Sequence, residues 1–448
     1  MKIRLKNTIS IGFAFLSIMI LWQGYNWFVP LFLNGKLEKI FIDIVGDTGA
    51  AKFIVGAIMG LDNLVALFMI PLVSKLSDRT NTKIGKRVPF IIVGLSIALL
   101  GFAAVPFVAD GSLVLLILVL MLIMVAMNVY RSPAVALMPD ITPKPLRARS
   151  NAIINIMGGV GTGLGYLTCY ICSEKILNMP DTVPILFISF VMFICLLLIL
   201  LTIKEDIFKR QMHLDVMEYC KKTNKNPLDY TDTNEEKDVE KQLKKSKATK
   251  RDKKNLRFML MSIFFYYMAA NAVETFISLY SDEVLGDLAH GLEMLAALAV
   301  GNFGFMIPAA MIAEKIGRRN TMLIGSGLML TGNFILTFVN SFSYFLIIPF
   351  FIFGIGMALM VTNMYPTVVG FCGKGDYARY TGLYYSATMI AQSITPALAG
   401  LFMSQFFGGN TINLMPYSAV FTLLCLVALL FIDKNQKAER KNENKEKL

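Results

Sequence analysis

Three ionisable side chains lie within long apolar stretches of the sequence: Asp62, Arg131 and Glu274. Each would cost at least ~2.5 kcal/mol in hydrocarbon, so each is expected to face a cavity or a partner. A carboxylate changes its proton affinity when water or a cation reaches it, and this property can link a cation gradient to a conformational change. We therefore predict that Asp62 and Glu274 are proton-coupling residues. A static alternative stays open, in which Arg131 only neutralises Asp62 or bonds to backbone carbonyls.

Amides and aromatic rings in the same stretches suit a hydroxylated solute. Amides bond hydroxyls, and aromatic faces cover the C–H side of a sugar ring. Tyrosines that anchor helices at the membrane interface and amides that bond between helices are the alternative. The predicted solute-binding residues are Arg131, Gln23, Asn26, Asn63, Tyr130, Asn271, Tyr365 and Gln392.

The composition predicts the elements that must position these side chains. Of 448 residues, 55% are hydrophobic and only 17% are charged, and the mean hydropathy is +0.59. Soluble proteins carry about 25% charged residues, so this is a multi-span membrane protein. Twelve stretches reach the ~20 apolar residues that a spanning helix needs. We predict an all-α membrane protein with twelve transmembrane helices. The sequence has only two histidines, which excludes a histidine metal cluster.

Charge placement predicts the orientation. Lysine and arginine concentrate in the two termini and in the even-numbered connections, which places both termini in the cytoplasm. The net charge of +12 is therefore mainly an orientation signal, and no nucleic-acid partner is expected. We expect a monomeric, multi-pass protein of the plasma membrane that needs no metal or cofactor.

Two short motifs repeat along the chain at nearly the same offset. Lys83–Arg87 reads KIGKR and Lys315–Arg319 reads KIGRR, while Ala-Arg pairs end at Arg149 and Arg379. The repeats indicate two six-helix bundles, residues 1–203 and 257–433, joined by a charged cytoplasmic linker, 204–256, and followed by a cytoplasmic tail, 434–448. Asn26 and Glu274 occupy matching positions in the two bundles, which favours both facing a shared cleft.

Charged residues of the cytoplasmic connections are predicted to form a gate. Such a gate must break in each cycle, so weak, solvated ion pairs suit it. Retention of topology alone is the alternative. The predicted gate residues are Asp78, Arg79, Lys86, Arg87, Arg149, Arg318, Arg319 and Arg379.

The residues Ser77–Phe90 and Tyr130–Asp140, followed by Arg147, resemble the second-loop and fourth-helix motifs of sugar–cation symporters. The similarity is to the sucrose/proton symporter-like branch of the major facilitator superfamily. It implies the major facilitator fold, proton-coupled symport of a sugar or glycoside by alternating access, and a role for Arg131 in solute uptake. Lys86 stands where that branch has arginine, and Ser132-Pro133 replaces an alanine-leucine run.

Other functions remain as alternatives: proton-coupled drug or metabolite efflux, or a transporter-like sensor or lipid-handling protein. The glycine-rich run Gly158–Gly165 lies inside an apolar stretch, so it is predicted to allow close helix packing rather than to bind phosphate. The sequence has no phosphate-binding loop of ATPases, and no enzyme activity is predicted.

Overall fold

A computed structural model describes residues 4–45, 50–173, 176–223, 230, 250–339, 341–371, 377–404 and 410–433. Helices account for nearly all of these residues, and no β-strand occurs among them. The prediction of an all-α membrane protein is confirmed.

Among the described residues, seven α-helices lie in the first half of the sequence. They are α1 (Leu5–Val45), α2 (Ala51–Arg79), α3 (Val88–Ala109), α4 (Leu113–Ile141), α5 (Arg147–Cys172), α6 (Thr182–Thr202) and α7 (Glu205–Thr223). Six follow in the second half: α8 (Lys250–Tyr280), α9 (Leu288–Ile316), α10 (Arg318–Leu336), α11 (Ile347–Gly370), α12 (Tyr377–Phe402) and α13 (Leu414–Leu430).

Each of the twelve predicted spans corresponds to a helix. Ten helices of the described chain are long and apolar enough to cross a bilayer. The two that fall short are α10, which begins with Arg318 and Arg319, and α12, which is rich in tyrosine, threonine and serine. Polar residues lower the hydropathy of both helices.

Local sequence signals fix where helices begin and end. The side chain of Asp287 accepts a hydrogen bond from the Ala289 N–H at 2.8 Å and so caps the start of α9. The same helix ends at Gly317, whose φ of +87° lies in the left-handed region that favours glycine. A π-helical turn, Ser281–Leu285, separates α8 from α9.

The described residues group into two compact units. Unit 1 lies within 1–36 and 62–240, and unit 2 lies within 37–61 and 241–448. The division passes through α2 between Leu61 and Asp62. The predicted bundles, 1–203 and 257–433, stay a prediction, and the tail 434–448 lies outside the described residues.

In unit 2, the first turns of α2 pack backbone to backbone against α12. A Cβ on Gly56 would lie 1.9 Å from the carbonyl oxygen of Pro396, and one on Gly400 would lie 2.2 Å from that of Lys52. Only glycine permits such an approach, so α2 groups with unit 2 up to Leu61.

In unit 1, the glycine-rich run packs against α1. A Cβ on Gly161 would lie 2.4 Å from the carbonyl oxygen of Leu16, and one on Gly165 would lie 2.9 Å from the Cβ of Gln23. The glycines of α5 therefore allow close helix packing, as their spacing indicates.

Part of the predicted linker 204–256 is described, and it contains a packed amphipathic helix, α7. Met212, Val216 and Cys220 form a buried apolar cluster, against which Tyr219 and Tyr230 pack. Arg4, just before α1, forms an ion pair with Asp215 of α7 at 2.7 Å. Helix α7 is therefore a packed part of unit 1. Residues 224–229 and 231–249 of the linker lie outside the described residues.

Candidate functional site

Asp62 of α2 lies deep within unit 1 and is only 4% exposed. Arg131 of α4 and Tyr25 of α1 are both close enough to interact with it electrostatically. The Tyr25 hydroxyl is buried and has no hydrogen-bond partner in the described part of the chain. Three helices thus contribute a carboxylate, a guanidinium and a phenol that interact electrostatically, and no ion pair or hydrogen bond joins the three groups among the described residues.

The other predicted binding residues of unit 1 fall into two groups. Gln23 and Tyr130 are buried, Gln23 against Gly165 of α5 and Tyr130 against Gly94 of α3. Asn26 and Asn63 are half-buried. Arg131 itself is exposed.

Glu274 of α8 is the predicted carboxylate of unit 2, and it is half-buried. It interacts electrostatically with Tyr266 and Tyr267, which lie about two turns before it on α8. Glu274 forms no ion pair or hydrogen bond within the described residues. Asn271 lies one turn earlier on the same helix, and its buried side-chain oxygen likewise has no hydrogen-bond partner there.

A group of tyrosines lies beside this carboxylate, and we call it the tyrosine cluster: Tyr266, Tyr267, Tyr365, Tyr384 and Tyr385. The ring centroids of Tyr266 and Tyr267 are 5.0 Å apart. Those of Tyr365 and Tyr384 are 5.3 Å apart, as are those of Tyr384 and Tyr385. Tyr267 also interacts electrostatically with Tyr384. The cluster therefore joins α8, α11 and α12.

Two predicted binding residues of unit 2 lie on those same helices. Tyr365 is 39% exposed, and its hydroxyl forms a hydrogen bond with that of Thr381 at 3.1 Å. Gln392 of α12 is half-buried. The sequence predicted Tyr365 as a single binding residue, whereas in the structure its ring packs beside those of Tyr384 and Tyr385.

The loop between α2 and α3 is organised around Arg87, which is 7% exposed. Its guanidinium contacts Asp78 at 2.6 Å, Asp140 at 3.2 Å and the hydroxyl of Ser77 at 3.2 Å. Arg87 thereby ties the ends of α2 and α4 to the start of α3. Asp78 and Arg87, two predicted gate residues, pair with each other inside unit 1.

Glu205, the first residue of α7, completes this loop and was not anticipated. Its buried carboxylate accepts hydrogen bonds from the Arg87 N–H at 2.8 Å and the Val88 N–H at 3.4 Å, and it pairs with Lys209 at 2.5 Å. Burial by itself raises the pKa of the Glu205 carboxyl, but the hydrogen bonds from Lys209 and Arg87 outweigh burial and hold the pKa below its ordinary value. Glu205 therefore caps α3 from a distant helix.

Gly85 makes this contact possible. Its φ is +113°, and a Cβ there would lie 2.3 Å from a carboxylate oxygen of Glu205. The glycine of the KIGKR motif is thus required both for its backbone conformation and for the space that Glu205 occupies.

The repeated loop before α10 has different partners. Arg318 donates to the carbonyl oxygen of Pro366 at 3.1 Å, and Arg319 donates to that of Leu430 at 3.0 Å. No carboxylate pairs with either arginine among the described residues.

The remaining predicted gate residues are exposed: Arg79, Lys86, Arg149 and Arg379. The described residues offer none of them an ion pair.

A second unanticipated contact lies in unit 2, on the side opposite the predicted cytoplasmic loops. Lys52 at the start of α2 is 7% exposed and pairs with Glu283 at 2.7 Å. The Thr411 hydroxyl donates to the same oxygen of Glu283. Nothing in the sequence distinguished Lys52 from Lys36 and Lys39 of the same connection.

No group of three or more His, Cys, Asp or Glu side chains is arranged to hold a metal ion within the described ranges.

Comparison with known structures shows the fold. A peptide transporter POT in complex with sulfate superimposes with a TM-score of 0.67 at 13% identity, covering 95% of this chain and 93% of that one. The nucleoside transporter NupG gives 0.65 at 12% identity, with 95% and 100% covered. The POT family transporter PepTSo gives 0.65 at 12% identity, with 96% and 98% covered.

No curated relative matches the sequence significantly. The sequence profile of the Major Facilitator Superfamily matches residues 8–300 and 260–448, which together include almost the whole chain. These matches agree with the repeated motifs, the glycine-mediated helix contacts and the carboxylates at membrane depth. The chain belongs to the major facilitator superfamily.

Proposed function

We propose that this protein is a secondary active transporter that carries a sugar or glycoside together with a proton by alternating access. It would act as a monomer in the plasma membrane. The observation that carries the proposal is Asp62, a carboxylate 4% exposed within a spanning helix, with Arg131 and Tyr25 beside it. A group in this position binds and releases a proton as its hydration changes.

Arg131 supports the part of the proposal that concerns solute binding. Its guanidinium carries five donors that can bond hydroxyl or anionic oxygens of a solute. It is exposed, whereas Asp62 beside it is buried. Solute at Arg131 would alter the electrostatic environment of Asp62, so binding and protonation would be linked.

Uptake into proteoliposomes tests the proposal. Purified protein is reconstituted, and a panel of labelled sugars, glycosides, peptides and nucleosides is offered under a proton gradient and then a sodium gradient. Peptides and nucleosides are included because similar structures are named as their transporters. We expect accumulation of a sugar or glycoside under the proton gradient only.

Two variants test the coupling residues. Asp62→Asn and Glu274→Gln are each expected to abolish or reduce gradient-driven accumulation while sparing exchange of solute across the membrane. Uphill accumulation that persists in both single variants and in the double variant rejects the coupling assignment. Absence of any solute flux, together with bound lipid in the purified protein, would favour the sensor or lipid-handling alternative. Outward proton-driven flux would favour efflux.

A further inference from the structure

Unit 2 contains hydrogen-bond acceptors that lack donors. Glu274 has no ion pair or hydrogen bond, and the buried oxygen of Asn271 has no hydrogen-bond partner, in the part of the chain that the structure describes. The two residues are three positions apart on α8, so their side chains lie on one face of the helix. A carboxylate held away from bulk water with no positive partner is costly, and a cation that reaches it relieves this cost.

Aromatic rings lie on the same side of unit 2. Tyr267, Asn271 and Glu274 are spaced i, i+4 and i+7 on α8, so they share one face of the helix. Tyr266 and Tyr267 interact electrostatically with Glu274, and Tyr267 also interacts with Tyr384. Tyr384, Tyr385 and Tyr365 have ring centroids 5.3–6.5 Å apart. The faces of such rings carry negative potential and attract organic cations. The rings and the two unpaired acceptors therefore favour the same kind of ligand.

The chemistry selects among cations. A protonated primary amine has three donors, which matches a site rich in acceptors, and its organic body can pack against aromatic rings. An inorganic cation such as sodium has no N–H donors for the Asn271 oxygen and no organic body to pack against the rings. A neutral sugar hydroxyl also bonds to a carboxylate, but it lacks the positive charge that the carboxylate and the ring faces attract.

We propose that Glu274, Asn271 and the tyrosine cluster form a recognition site for a protonated amine, and that the transported solute carries an ammonium group. This inference rests on the proposed transport function and deepens it. It replaces the coupling role of Glu274 with solute binding, so that Glu274→Gln impairs exchange as well as accumulation, and it leaves the coupling proton to Asp62. An amino sugar or an aminoalkyl glycoside combines this group with the proposed solute class.

Matched pairs of small molecules test the proposal on the purified, full-length protein. Each pair differs only in an amine replaced by a hydroxyl: 2-aminoethyl and 2-hydroxyethyl β-glucoside, tyramine and its alcohol analogue, and ethanolamine and ethylene glycol. Thermal unfolding in detergent at pH 7 reports apparent affinity at millimolar concentrations. We expect at least one amine to bind about 10-fold or more tightly than its alcohol partner, a difference of about 1.4 kcal/mol.

Variants test whether Glu274 and the tyrosine rings cause the preference for an amine over its alcohol partner. Glu274→Gln is expected to reduce the preference for the amine to less than about 2-fold, and Asp110→Asn, an exposed carboxylate at the end of α3, is the matched control that keeps it. Tyr267→Phe retains the ring and is expected to keep the preference, whereas Tyr267→Leu is expected to lose most of it. Equal losses in the Phe and Leu variants would overturn the role of the ring face.

The remaining outcomes are equally decisive. If no amine is preferred over its alcohol, or if the preference survives in Glu274→Gln, the inference fails. Stabilisation by sodium chloride that depends on Glu274 and is absent with choline chloride and with the amines would instead make this an inorganic cation site. Failure of the inference is distinguishable from failure of the transport proposal, because uptake of a neutral glycoside under a proton gradient would support transport while excluding the amine requirement.

Discussion

The two copies of the cytoplasmic loop motif share a glycine of positive φ but differ in the surrounding backbone and in their partners. Gly85 and Gly317 both have positive φ, +113° and +87°, and each lies close to arginine. In the first copy Arg87 contacts two carboxylates, and the loop backbone is capped by Glu205. In the second copy Arg318 and Arg319 bond only to backbone carbonyls among the described residues.

The difference shows that the motif fixes a turn, whereas its surroundings determine how firmly the turn is held. Buried, charge-assisted hydrogen bonds of the first loop are stronger than the exposed arginine–carbonyl bonds of the second. The first loop is therefore the rigid copy. Matched substitutions in the two loops can test this.

Gly85→Ala is expected to be the most damaging change. It places a Cβ in a left-handed conformation and against Glu205, and we expect a loss of about 2–4 kcal/mol in the free energy of unfolding. Gly317→Ala meets only the conformational strain, because no atom lies within 4 Å of its Cβ, and should lose about 1–2 kcal/mol. Thermal unfolding in detergent compares the two, and equal losses would contradict the assigned role of Glu205.

Glu205→Ala is expected to free the capped end of α3. Removing the carboxylate leaves the Arg87 and Val88 N–H groups without an acceptor, at a cost of about 1–3 kcal/mol. Glu314→Ala, an exposed carboxylate beside the second loop, should change stability by less than about 0.5 kcal/mol. Hydrogen exchange should accelerate at residues 87 and 88 in the first variant only, and unchanged exchange there would exclude the cap.

Arg87→Lys should destabilise the protein more than the matched substitution in the second loop does. A single ammonium cannot reproduce the fork that contacts Asp78, Asp140 and Ser77 together, so we expect a loss of about 1–2 kcal/mol. Arg319→Lys replaces one bond to a backbone carbonyl and should cost less than about 1 kcal/mol. The free energies of unfolding of the two variants give the comparison, and a costlier change at Arg319 would reverse it.

Low pH should destabilise the first loop, and this effect should be smaller than those of the substitutions. Hydrogen bonds from Lys209 and Arg87 lower the pKa of Glu205 despite its burial, and the hydrogen bond from Arg4 lowers that of Asp215. A depressed pKa contributes stability that is present above the unfolded value, about 4, and is lost as the pH falls through the folded value. Hydrogen exchange of α7, corrected for intrinsic rates, should therefore rise below about pH 4. Asp215→Asn should reduce this dependence, and a rise confined to pH 6–7 would contradict it.

The sequence predicted the helices and the repeats because both depend on local patterns. Apolar stretches of sufficient length define spans, and the KIGKR and KIGRR motifs mark a glycine-containing break before α3 and before α10. Asp62, Arg131 and Glu274 were recognisable because a charge within an apolar stretch requires an explanation.

Contacts between residues distant in the sequence could not be predicted in the same way. Glu205 and Arg87 are 118 positions apart, and Lys52 and Glu283 are 231 apart. Nothing near Glu205 distinguishes it from other acidic residues of a charged linker. The tyrosine cluster likewise depends on which faces of α8, α11 and α12 meet, and helix periodicity does not determine that.

The contact between α2 and α12 also provides a position where a substitution could trap one conformation of the protein. At Gly56 and Gly400 one main chain lies against another, so a bulky side chain has no room at either position. Tryptophan placed there would wedge the two helices apart and favour whatever conformer lacks this contact. A transporter arrested in that way would let crystallographers and cryo-microscopists image a state that the unmodified protein visits only briefly.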